Sequence, residues 1–63
     1  MKQYIVSVTE SNAVIVEADE VRVEDGFVIF TYVDPSQRYD ALVAVFNVNK
    51  IIGFHEKAEE VIQ

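Results

Sequence analysis

The chain has 63 residues, no cysteine, and eleven acidic against five basic side chains, for a formal net charge of −6. Without cysteine, disulfides and thiolate metal sites are excluded. A chain this short buries only about 60% of the surface it exposes when unfolded, which leaves room for one marginal domain spanning 1–63. The charge repels polyanions and attracts basic partners, so direct nucleic-acid binding is not expected.

Residues Met1 to Thr9 carry one lysine and short apolar runs broken by Ser7 and Thr9, which is not the layout of a signal peptide. No apolar run approaches the roughly 20 residues that cross a bilayer, so the expectation is a soluble protein with no membrane partner. Missing cysteines fit a reducing cytoplasm.

Tyr4, Val6 and Val8 alternate with Ile5, Ser7 and Thr9, the period of a half-buried strand. Glu10-Ser11-Asn12 supplies turn chemistry, because Ser and Asn side chains bond their own backbone. Ala13 to Ala18 resumes as a β-rich run with Val14 and Val16 on one face, Ile15 and Glu17 on the other. The two strands read as a hairpin. Asp19-Glu20 is too polar for a core and marks a bend.

The stretch Val21 to Phe46 reads as a three-stranded antiparallel meander. Asp25-Gly26 is its strongest signal, because a two-residue type I′ turn needs positive φ at both positions. That turn sets Glu24 opposite Phe27, Val23 opposite Val28 and Val21 opposite Phe30, gathering four apolar side chains on one face. Asp34-Pro35-Ser36-Gln37-Arg38 is the second turn, with proline presetting φ. Pairing Val33 with Tyr39 puts Phe30 opposite Leu42 and Val28 opposite Ala44, so Leu42, Ala44 and Phe46 join that face. The other face, Phe27, Ile29 and Val33 beside Tyr39, Ala41, Val43 and Val45, is apolar too. A strand apolar on both faces is normally covered on both.

Asn47 to Lys50 reads as a turn and Ile51 to Phe54 as a further short strand, with Gly53 marking a bulge or a close backbone approach. His55 to Gln63 has good helix formers, and Phe54, Ala58, Val61 and Ile62 share one helical face. Two turns of helix are stable only when docked, so this one is expected to cover part of the sheet. The fold class is therefore mainly β with a short C-terminal helix (β-rich α+β): a five- to six-stranded antiparallel meander or small barrel.

The second apolar face is more than one short helix can shelter, and leaving it in water invites aggregation. Barrel closure, a homodimer or a partner protein would each cover it, and Phe27, Ile29, Val43 and Val45 are the candidate contact residues. Beside it runs an acidic cluster, Glu10, Glu17, Asp19, Glu20, Glu24 and Asp25, relieved by Arg22 alone. The plain reading of such a cluster is a solvated, aggregation-resistant surface. The functional reading assigns Glu17, Asp19, Glu20, Glu24 and Asp25 to drawing in a basic partner, carboxylates standing where phosphates would. Tyr39, at a strand start, either caps the core edge or serves as an aromatic anchor.

Catalytic and cofactor chemistry finds little support. His55 is the sole histidine, and with Glu59 it makes only two ligands, so no metal site is expected. Ser7, Ser11 and Ser36 have no candidate base other than His55, and Gly26 and Gly53 alone cannot form a phosphate cradle. The reading is a non-enzymatic protein without a cofactor.

The run Val16-Glu17-Ala18-Asp19-Glu20-Val21-Arg22-Val23-Glu24-Asp25-Gly26-Phe27-Val28-Ile29-Phe30, followed by Val43-Ala44-Val45-Phe46, resembles a layout in small uncharacterised acidic proteins of phages and prophages. There an Asp-Gly hairpin precedes an apolar strand and then a Val-Ala-x-Phe strand. The resemblance covers about half the chain and matches no functional residue. It implies a mobile-element setting, the cytoplasm of a host cell, and the role of an inhibitor of host machinery of the anti-CRISPR or anti-defence type. The leading expectation is thus an acidic inhibitor or adaptor occupying a basic, nucleic-acid-binding host protein. The alternatives are an oligomer that sequesters a small molecule and a structural homodimerisation module.

Overall fold

The computed structural model describes residues 1–37 and 40–58. Its strands are β1 (Lys2–Ser7), β2 (Ala13–Ala18), β3 (Glu20–Glu24), β4 (Phe27–Tyr32), β5 (Ala41–Asn47) and β6 (Gly53–Glu56), with a 3₁₀ turn at Val48–Lys50 before the last. They form two three-stranded antiparallel sheets, ordered β2-β1-β6 and β3-β4-β5. Asp19 alone separates β2 from β3, so the chain changes sheet within one residue. Both sheets are open; the closed barrel expected as one solution for the apolar surplus does not form.

The core lies between the sheets. Tyr4 and Val6 of β1 and Val16 and Ala18 of β2 are buried against Val28 and Phe30 of β4. Phe30 is its centre: its ring centroid lies 5.2 Å from Tyr4, 5.9 Å from Phe46 and 5.9 Å from Phe54. Tilted and edge-on contacts of this kind add to the roughly 1.5–3 kcal/mol that burying each large apolar side chain contributes. Val21, Ala44, Phe46, Val48, Ile51 and Phe54 close the cluster from its margins.

The β3–β4 hairpin follows from its turn. Asp25 and Gly26 both take positive φ, 52° and 81°, as a type I′ turn demands. The register is Glu24 with Phe27, Val23 with Val28 and Val21 with Phe30, as the turn chemistry predicts. Val23 nevertheless stays in solvent, since it sits on an edge strand close to the turn, beyond the cover of the first sheet. The β1–β2 hairpin also forms, closed by bonds from the Val8 and Thr9 N–H groups to the Asn12 carbonyl at 3.0 and 3.2 Å.

The β4–β5 register differs from the expected one. Phe30 pairs with Ala44 and Val28 with Phe46, a slip of two residues that keeps Ala44 and Phe46 on the inner face. Between Phe30 and Thr31 the ladder then shifts by one, leaving Val43 as the extra residue of a β-bulge and placing Leu42 opposite Thr31. Past the bulge the alternation of faces inverts. Leu42, expected in the core, is 65% exposed.

The C-terminal segment also departs from expectation. The Asn47 side chain accepts from the Asn49 N–H at 2.9 Å and caps the 3₁₀ turn, which delivers the chain to β6. There His55 pairs with Ile5 and Glu56 with Tyr4, and the Lys57 N–H donates to the Gln3 carbonyl at 2.7 Å. Strand pairing with β1 has taken residues assigned from propensity to a helix. Among the described residues there is no α-helix: Lys57 and Ala58 follow β6 without regular structure, and residues 59–63 of that expected helix lie outside the described residues. Nor does Gly53 admit a neighbouring backbone, since a Cβ built there would meet nothing within 4 Å.

Candidate partner-binding face

Register determines which side chains share the outer face of the β3-β4-β5 sheet. Arg22, Ile29 and Val45 form one cross-strand row, and Glu24, Phe27 and Asn47 the next. Glu20 and Leu42 flank Thr31 in a third. Phe27, Val43, Val45 and Leu42 are between 40% and 65% exposed, with Ile29 half-buried among them. The result is an apolar stripe two strands wide on β4 and β5, bordered by the charged row of β3. Phe27, Ile29, Val43 and Val45 are the candidate contact residues the sequence singled out, and the sheet brings them together. Val33 is exposed but lies past the end of β4, and Ala41 pairs with Tyr32 beyond the bulge.

The predicted acidic cluster does not hold together as one patch. Glu20 and Glu24 border the stripe, and Asp25 stands at the hairpin tip beside them. Glu17 belongs to the other sheet, where it pairs with Gln3 and accepts a bond from its side-chain amide at 3.2 Å. Asp19 is engaged within the fold: its carboxylate accepts from the Val33 N–H at 2.7 Å, and its own N–H donates to the Thr31 carbonyl at 2.9 Å. Tyr39 lies outside the described residues. On β3, Arg22 Nε lies 3.4 Å from Glu24 Oε2, with both side chains largely in solvent. Such exposed pairs contribute little to stability, but this one moderates the negative charge of the row.

Leu42 is the exposed residue of this face that sequence reasoning missed. Ala41-Leu42-Val43-Ala44-Val45-Phe46 is apolar throughout, so no polar position in it reveals where the alternation inverts.

Elsewhere, a cleft of about 640 Å³ open to solvent lies where β1 begins and β6 ends, lined among others by Lys2, Lys57, Glu17 and Glu56. Its two lysines match its two glutamates in number, and it lacks the enclosed apolar walls typical of small-molecule sites. His55 is exposed on β6. Among the described residues no group of three His, Asp or Glu side chains converges to hold a metal ion. No helix there is long and apolar enough to cross a membrane. Comparison with protein-family models, with curated proteins and with solved structures found no match to this chain.

Proposed function

We propose that this is a non-enzymatic, acidic protein-binding inhibitor or adaptor that occupies a basic surface of a partner protein. The partner class it suits best is a nucleic-acid-binding host defence protein met in the host cytoplasm, the setting that the resemblance to small phage proteins implies. One observation carries the reading: an apolar stripe (Phe27, Ile29, Val43, Val45) that no described residue covers, with Glu20 and Glu24 along its border. The stripe supplies desolvated contact area, and the carboxylates supply attraction and orientation. A net charge of −6 favours a basic partner over a second copy of the chain.

The test begins with capture from bacterial lysate at low and high salt, using the native chain and a variant carrying Glu20→Lys and Glu24→Lys, which leaves the Asp25-Gly26 turn intact. A captured basic protein is then purified, and its nucleic-acid affinity is measured with and without this protein. The native chain should bind in a salt-sensitive manner and compete with nucleic acid, and the variant should do neither. Equal binding by the variant, with no salt dependence, would remove the proposal.

A further inference from the structure

Building on that reading, we infer that the occupant of the outer face of the β3-β4-β5 sheet is an amphipathic helix of the partner. It is rich in lysine or arginine along the flank that meets β3, and it lies across the face without extending the sheet. An extended segment would have to add to a free edge, and both edges are poor templates. β3 is five residues long, with Glu20, Arg22 and Glu24 along it, and β5 is interrupted by its bulge at Val43. Short charged edges and bulges are devices that prevent strand addition.

Among the described residues, nothing covers the face. Two strands about 4.8 Å apart present a stripe that a helix of about 10 Å diameter covers, anchored by apolar residues one turn apart. A helix laid on a sheet is also the ordinary way an exposed apolar sheet face is buried. Charge selects the helix's polar flank, because Glu20 and Glu24 sit on one side of the stripe only and outnumber Arg22, the one cation between them. Stacking two copies face to face would bring together two chains of charge −6.

The experiment titrates isotope-labelled protein with a synthetic leucine–lysine amphipathic peptide of about 20 residues, long enough to hold a helix. Two controls accompany it: the same composition scrambled to abolish the apolar face, and a leucine–glutamate counterpart. The leucine–lysine peptide alone should shift the amide signals of Phe27, Ile29, Val43 and Val45. Leu42→Lys with Val45→Lys, both at exposed positions, should abolish those shifts while the amide spectrum stays dispersed. Should that variant fail to fold, Glu20→Lys with Glu24→Lys should weaken binding about tenfold or more and remove its salt dependence.

Equal binding of the scrambled peptide would overturn the inference, as would shifts confined to the β3 or β5 edge. A homodimer in solution that protects the same amides would do so too. If the peptide fails while a basic protein is still captured in a salt-sensitive manner, the helix falls and the protein-binding reading stands. If neither binds, both fall.

Discussion

The carboxylate of Asp19 accepts a hydrogen bond from the backbone N–H of Val33 at 2.7 Å, fastening the corner between β2 and β3 to the end of β4. Read as sequence, Asp19 is one more acid in an acidic run. In the fold it is a clamp at the point where the chain passes from one sheet to the other. Asp19→Ala should therefore lower stability by about 1–2 kcal/mol, and Asp19→Asn, which keeps an acceptor, by less. Urea unfolding checks this through the midpoint at constant slope. Unchanged stability together with lost partner binding would return Asp19 to the recognition surface.

Phe30 is fully buried and touches rings from β1, β5 and β6. Truncating a buried Phe to Ala costs about 3–5 kcal/mol, comparable to the roughly 3–9 kcal/mol a domain of this size possesses. Phe30→Ala is expected to lose most of the stability of the domain at 25 °C, and Phe30→Leu to lower the midpoint far less. Circular dichroism during thermal unfolding distinguishes the two, and a native-like transition in the alanine variant would place the core elsewhere.

Gly26 holds φ +81° with no atom within reach of an added Cβ. The cost of Gly26→Ala is thus one of backbone conformation, about 1–2 kcal/mol. Gly26→Asn should be milder, because Asn tolerates the left-handed region. If the two substitutions proved equally costly in chemical denaturation, a contact and not the backbone angle would be responsible.

In the turn before β5, Asp34 Oδ1 accepts from the Ser36 hydroxyl at 2.7 Å and from the Ser36 N–H at 2.9 Å. The hydroxyl bond first, and the backbone bond second, hold the Asp34 carboxyl below its ordinary value of 3.8. A carboxyl depressed in the folded state contributes stability that is present above the unfolded value and is lost as pH falls through the folded one. An NMR titration should find Asp34 ionised below the usual aspartate range, and Ser36→Ala should raise its pKa. No difference between native protein and variant would refute the attribution.

Local chemistry reached as far as neighbouring residues could carry it. Asp25-Gly26 alone determined a hairpin and its register, because a two-residue turn with two positive φ angles admits one pairing. Alternating apolar residues identified β1 and β2 and the apolar character of both sides of β4. Propensity, by contrast, failed at His55 and Glu56, where helix-forming tendency yielded to the backbone bonds offered by β1, a strand some fifty positions earlier.

What remained was decided by distant parts of the chain meeting. The bulge at Val43 turned Leu42 outward, the corner at Asp19 recruited an acid from the surface, and the division into two sheets sent Glu17 away from Glu20 and Glu24. None of these can be read from a sequence window. A strand pairing is stabilised by bonds to residues far along the chain, and its register alone decides which face a side chain occupies.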